Sequence, residues 1–192
     1  MKIIGITGGI GSGKTTIAKI FESYQIPVYY ADFEAKALMN RSKIIRRKLT
    51  ALLGDETYIN GKINRKYIAS KVFNNDELLK RINAIVHPKV GQHFKRWLKK
   101  QDSTFVLKES AIIFENNLQD NYDAIILVVA NKENRIERVV KRDGLSKQQI
   151  LSIINNQLSE EEKIPLATYI INNNSLLEAE HQTRNIYKEL MK

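Results

Sequence analysis

Residues Gly8-Gly9-Ile10-Gly11-Ser12-Gly13-Lys14-Thr15 spell G-x-x-x-x-G-K-[ST], and this run constrains the fold more than any other stretch of the chain. A loop that holds phosphate oxygens must aim several successive backbone N–H groups into one concavity. Glycine permits both the backbone angles and the close approach that a Cβ would block. Lysine at the seventh position brings a positive charge to the β- and γ-phosphates, and the hydroxyl after it is placed to ligate Mg²⁺. The candidate nucleotide-binding residues are therefore Gly9, Ile10, Gly11, Ser12, Gly13, Lys14, Thr15 and Thr16, with Thr15 also the candidate metal ligand.

Such a loop works only between a buried strand and the start of a helix, so its flanks decide what it means. Upstream, Lys2-Ile3-Ile4-Gly5-Ile6-Thr7 is a short apolar run that reads as a buried parallel strand. Downstream, Ile17, Ile20, Phe21 and Tyr24 recur at i, i+3, i+4, i+7, the spacing of a helix with one buried stripe. Orphan N–H groups and the helix dipole then make an anion site, and a nucleoside triphosphate is the expected ligand.

The remainder alternates strand-like and helix-like segments without an internal repeat. Pro27 to Asp32 reads as a second strand ending in an acid, Phe105-Val106-Leu107 as a third, Asp123 to Ala130 as the most hydrophobic, and Tyr169 to Asn172 as a short last one. Asn131 can cap a helix that stops at Asp143-Gly144, while Ser146 with Gln149 and Ser175 with Glu178 have capping-box spacing. Strands separated by helices imply βαβ crossovers, hence an α/β fold: a parallel sheet flanked by helices, with ligands at the carboxyl ends of the strands. Asp32 and Glu109 both fall at such ends. The stretch from Phe33 to Lys100 is too long for one crossover and reads as an inserted helical subdomain, broken at Asn60-Gly61 and at His87-Pro88.

Length and composition fit this picture. A chain of 192 residues supports one domain with room for insertions, and with no cysteine it has neither disulfides nor thiolate metal sites. Met1 leads at once into the first strand and no apolar stretch approaches the ~20 residues that span a bilayer, so the expectation is a soluble, cytoplasmic protein with no membrane partner. The formal charge is +10, densest between Arg41 and Lys48. Ile44, Ile45 and Leu49 interleave with those basic residues, which suits a helix with a solvated basic face; attraction of a small polyanion or of nucleic acid are the other readings.

Phosphoryl transfer needs charge neutralisation on the transferred group and an oriented acceptor. Lys14 and Mg²⁺ serve the phosphates, and Asp32 is the natural acid for the acceptor hydroxyl. Arg135, Arg138 and Arg142, at i, i+3, i+7, share one helix face and could either close over the transition state or form an ordinary solvated stripe.

From the loop almost to the C-terminus the sequence resembles the dephospho-coenzyme A kinase family, P-loop kinases of the last step of coenzyme A synthesis. Thr7 to Thr15 matches the family's T-G-G-I-x-S-G-K-[ST]. Tyr30-Ala31-Asp32 falls where D-A-D is usual, Val86-His87-Pro88 lies in the coenzyme A-binding region, and Ala111 to Glu115 stands for P-L-L-F-E. Arg138, Arg142-Asp143 and Gln157 match the lid, and Ile171-Asn172-Asn173 the adenine-side segment.

The resemblance implies one P-loop kinase domain over 1–192, a helical coenzyme A-binding insert at about 33–100 and a helical lid at about 135–163. It implies Lys14, Asp32 and Arg138 as catalytic residues, Asp32 being the base. It adds Arg142 and Asn173 on the nucleotide side, and Thr7, Asp32, His87 and Glu115 on the substrate side. The implied reaction is phosphorylation of the ribose 3′-hydroxyl of dephospho-coenzyme A by ATP with Mg²⁺, with no nucleic acid or obligate protein partner. Another small-molecule kinase of nucleoside type is the alternative, and a nucleotide-switched RNA-binding protein a more distant one.

Four positions depart from the family pattern: Tyr30 for the first acid, Ala111 for proline, and Thr168 with Ser175 for an acid and a glycine. His93 and His181 are isolated from other metal-ligating residues. Trp97 shares helical spacing with Phe94 and Leu98, which suits core packing better than base stacking.

Overall fold

The structure, a computed structural model, describes residues 1–73 and 75–192. In chain order the elements are β1 (Lys2–Thr7), α1 (Lys14–Ser23), β2 (Val28–Tyr30), α2 (Ala31–Arg41), α3 (Lys43–Leu53), β3 (Tyr58–Ile59), β4 (Lys62–Ile63), α4 (Arg65–Val72) and α5 (Asp76–Leu98). They continue with β5 (Phe105–Glu109), β6 (Ala124–Val129), α6 (Lys132–Asp143), α7 (Lys147–Asn155), α8 (Glu160–Lys163), β7 (Tyr169–Asn172) and α9 (Leu176–Leu190). They group into two compact units, residues 1–30 with 101–192, and residues 31–100.

The first unit is built on a five-stranded sheet in the order β2-β5-β1-β6-β7, with every neighbouring pair parallel. β1 sits at the centre; from it the chain goes to the edge strand β2, returns to β5 between the two, and then crosses to β6 and β7 on the other side. That makes the carboxyl end of β1 the switch point of the sheet, the place where a crevice opens. The phosphate-loop sequence starts there because Thr7 is the last residue of β1.

Both faces of this sheet are covered, as parallel strands require. On one face Ile4, Ile6, Phe105, Leu107, Ile126 and Val128 pack against Ile17 and Phe21 of α1 and Ala179, Ile186 and Leu190 of α9. On the other, Ile125 and Leu127 meet Ile113 and Phe114 of the segment after β5. Gly5 belongs here by necessity: a Cβ on it would press on Ile113 and the Tyr122 ring.

Helix ends follow the local chemistry. Asn131 Oδ1 accepts from Asn134 N–H at 3.0 Å and Gly144 closes α6 with φ +67. Ser146 and Gln149 make both bonds of a capping box, and so do Ser159 and Glu162 at α8, a start that sequence spacing did not single out. Ser175 Oγ accepts from Glu178 N–H at 3.5 Å.

The second unit holds α2 to α5 and a small hairpin. Asn60 (φ +49) and Gly61 (φ +76) form the hairpin turn between β3 and β4, two left-handed residues as an Asn-Gly pair favours. The basic stretch is divided by Ser42, which caps α3; α3 buries Ile45, Leu49 and Leu53 and leaves Arg47 and Lys48 exposed.

Two expectations for this unit need correction. Asp32 does not end a strand: β2 stops at Tyr30 and Asp32 lies in the first turn of α2, where a carboxylate suits the positive helix end. Nor does the chain break at His87-Pro88. α5 runs through Pro88, losing one backbone bond, because the buried stripe Ile82, Val86, Val90 and Phe94 passes it without interruption.

Candidate active site

The phosphate loop is shaped by left-handed glycines and close neighbours. Gly13 caps α1 with φ +94, and a Cβ there would collide with the Asn173 amide; Gly11 has φ +78 and lies against the Arg135 carbonyl. No other residue type fits these two positions without displacing backbone or a buried side chain. Lys14 Nζ folds back over the loop, donating to the carbonyls of Gly8 at 2.9 Å and Gly9 at 3.3 Å. Thr15, at the start of α1, places Oγ1 3.3 Å from each carboxylate oxygen of Glu109, the last residue of β5.

Side chains from the C-terminal third hold the loop from outside. Arg135 Nε donates to Ile10 O at 2.9 Å, and Gln157 Oε1 accepts from Ile10 N–H at 2.9 Å. Arg138 donates through Nη1 to Gly11 O and Ser12 O, both at 3.4 Å, and through Nη2 to Asn173 O at 2.7 Å. Asn173, 3 % exposed, sends its amide Nδ2 to Ser12 O at 2.8 Å. Of the three arginines on the α6 face, two therefore touch loop carbonyls. Arg142 stands apart: it is gripped bidentately by Asp143 at 2.8 and 2.7 Å, and that hydrogen bond raises its already high pKa.

Other predicted residues have different surroundings. Thr7 is wholly buried at the end of β1 and its hydroxyl meets no partner. The Ser12 hydroxyl is buried in the same way. Glu115 forms an ion pair with Lys163 at 2.6 Å, and Lys163 is only 1 % exposed. Asp32 and His87 are exposed residues of the second unit, on α2 and α5. Trp97 stacks on Phe94 with ring centroids 5.9 Å apart, in keeping with a packing role.

Tyr30, where the family's first acid is usual, pairs in register with Glu109 and packs against the α1 face of the sheet. Burial first, then the nearby Glu22 carboxylate as acceptor and as charge, then the charge of Glu109, push its phenol well above the ordinary tyrosine pKa. It stays neutral and adds no negative charge beside Glu109.

Sequence reasoning located the loop, Glu109 and the α6 arginines, but not what Arg135, Gln157 and Asn173 hold. Gln157 and Ile10 are 147 positions apart, Asn173 and Ser12 161. No local pattern announces such pairs.

Known proteins align with this arrangement over most of its length. The family model for dephospho-CoA kinase matches residues 2–179. A dephospho-CoA kinase of Bacteroides fragilis is 39 % identical over 171 residues, covering 88 % of this chain and 83 % of that protein. Among solved structures, a Thermus thermophilus protein superposes with TM-score 0.91 at 31 % identity, covering 100 % of this chain and 98 % of that one. The dephospho-CoA kinase from Campylobacter jejuni gives TM-score 0.70 at 25 % identity, over 98 % and 96 %. A phosphate loop at the switch point of a P-loop kinase sheet thus carries a family match from the first strand into the last helix, and the chain belongs to the dephospho-CoA kinase family.

Proposed function

We propose that the chain transfers the γ-phosphoryl group of ATP to the ribose 3′-hydroxyl of dephospho-coenzyme A, giving coenzyme A and ADP. The observation that carries this reading is the phosphate loop, with Lys14 over it and the Thr15–Glu109 pair beside it, inside a chain whose family match spans residues 2–179. The formal charge of +10 favours encounter with two polyanionic substrates.

Each residue has a role that its surroundings support. N–H groups at the start of α1 receive the phosphates, and Lys14 exchanges the Gly8 and Gly9 carbonyls for phosphate oxygens. Mg²⁺ fits the donor set: Thr15 Oγ1 and the Glu109 carboxylate are hard oxygen donors 3.3 Å apart. Among the described residues no group of three or more acidic, His or Cys side chains forms a cage, which suits an ion that takes its other ligands from water and phosphate. When bound, the ion neutralises charge between the phosphates. Asp32 accepts the proton of the acceptor hydroxyl. Arg138, already at the loop it braces, is the arginine proposed to lend positive charge to the transferred group, and Arg142, on release from Asp143, the one proposed for the nucleotide. Residues 135–163, α6 to α8, are the proposed lid, covering the nucleotide while staying anchored to the loop through Arg135, and the proposed compartment is the cytoplasm, where ATP is abundant.

The test is ADP formation with ATP and Mg²⁺ in the presence of dephospho-coenzyme A or adenosine as acceptor. Dephospho-coenzyme A is expected to stimulate ADP release by orders of magnitude and adenosine hardly at all. Equal or greater stimulation by adenosine would return the reading to a nucleoside kinase.

A further inference from the structure

Ile10 is held at both of its backbone polar groups by side chains far along the chain. Its N–H donates to Gln157 Oε1 and its carbonyl accepts from Arg135 Nε, each at 2.9 Å. Gln157 lies between α7 and α8, and the segment that carries it is fixed immediately downstream. Arg135 Nη1 pairs with Glu160 at 2.9 Å, so one buried guanidinium grips the loop with Nε and the start of α8 with Nη1. At the other end of the same four-residue helix, buried Lys163 pairs with Glu115 at 2.6 Å. Breaking a pair so deeply buried leaves a charge uncompensated, which costs far more than an exposed pair is worth. The segment from Gln157 to Lys163 is thereby anchored to α6 and to the segment after β5, and Gln157 reaches the loop from a fixed base.

We propose that Gln157 is a positioning residue of the phosphate loop, its amide oxygen fixing the Gly9–Ile10 peptide so that the N–H groups that follow are aimed at the phosphates. The inference rests on reading the loop as the ATP site. Gln157 touches neither substrate nor metal in this role; it acts through Ile10. The side-chain type matters. A neutral amide oxygen accepts the Ile10 proton without charge, whereas a carboxylate at the same point accepts it while repelling a polyphosphate. The nearest N–H groups to benefit are those of Gly11 and Gly13; the Gly11 and Ser12 carbonyls between them are held by Arg138 and Asn173, and the Ser12 N–H closes the turn on the Gly9 carbonyl at 3.2 Å.

The test compares the full chain with Gln157→Ala and Gln157→Glu. Three quantities are measured: amide hydrogen exchange at Ile10, ATP affinity by calorimetry at low and high salt, and KM for ATP against kcat. For Gln157→Ala, Ile10 exchange is expected to quicken and ATP affinity to fall about 3- to 10-fold, the worth of one hydrogen bond, with the rise in KM exceeding the loss in kcat. For Gln157→Glu, Ile10 protection is expected to persist while ATP binding weakens, more at low salt than at high. Ile10 exchange that quickens with no change in ATP affinity would make the bond merely structural and overturn the inference. So would unchanged exchange in Gln157→Ala. Should Gln157→Ala fail to fold, Gln157→Met, which keeps the side-chain bulk and removes the amide acceptor, is read in its place with the same expected and overturning results. A parent protein that binds no ATP would instead overturn the functional reading.

Discussion

At the scale of single residues, the site separates groups that can change partners from groups that cannot. Lys14 rests on two backbone carbonyls and Arg142 on one exposed aspartate, partners that phosphate can displace. Arg135 and Asn173 are buried against loop carbonyls and hold them in place. The proposed role of Asp32 is to take the acceptor proton, and Asp32→Asn keeps size while removing that ability. A general base contributes about 10²–10⁴ in rate, so kcat is expected to fall by that order with ATP affinity unchanged. Full turnover in Asp32→Asn, with Glu109→Gln inactive, would move the base to Glu109. A second residue tests the electrostatics of the sheet beside Glu109. Lys108 lies on β5 with Nζ 5.3 Å from the Tyr122 ring centroid, and burial lowers its pKa. The unfolded chain then binds more protons than the folded one between that lowered value and about 10.4, so stability rises with pH across the window. Lys108→Met removes the burial cost and is expected to raise Tm at pH 7 by about 2–4 °C for each kcal/mol gained. Thermal unfolding from pH 7 to 10 should show the advantage shrinking as the parent's lysine loses its charge; an advantage that grows with pH would contradict the assignment.

At the scale of elements, local chemistry proved legible where one rule acted alone. The strand before the loop, the α1 stripe, the Asn60-Gly61 turn and the Asn131 cap each needed only a period or a turn residue. Where two rules compete, the sequence does not say which wins. Pro88 signals a stop, but the stripe from Ile82 to Phe94 carries α5 past it. Ala31 to Leu38 is rich in helix formers with acids in its first turn, so α2 starts one residue after the strand that was expected to include Asp32. α8 is too short for its period to be seen, although its Ser159–Glu162 box is complete. The Pro88 case has a measurable consequence. Pro88→Ala restores a backbone donor within α5 and relieves the ring's clash, offset by a more flexible unfolded chain. A net stabilisation of about 1–2 kcal/mol is expected, against a local helix cost for proline of about 3, and would be read from denaturant unfolding. Destabilisation would mean that the helix depends on the proline's geometry.

At the scale of the whole molecule, topology explains why the loop could be read from sequence and its supports could not. β1 is central in a β2-β5-β1-β6-β7 sheet, so the turn after it opens at the switch point whatever the later helices do. The braces on that turn come from α6, the α7–α8 segment and the end of β7, brought together only when the sheet closes. The second unit, residues 31–100, carries Asp32 and His87, the residues proposed for the acceptor. The central claim is that this chain phosphorylates the 3′-hydroxyl of dephospho-coenzyme A. The direct measurement is to incubate the protein with ATP, Mg²⁺ and dephospho-coenzyme A, isolate the product, and locate the new phosphate by mass spectrometry and phosphorus NMR. The account predicts a product heavier by one phosphoryl group, carried as a monoester on the ribose 3′-oxygen, and none from Lys14→Ala. Phosphate elsewhere on the acceptor, or an acceptor left unchanged by active protein, would contradict it.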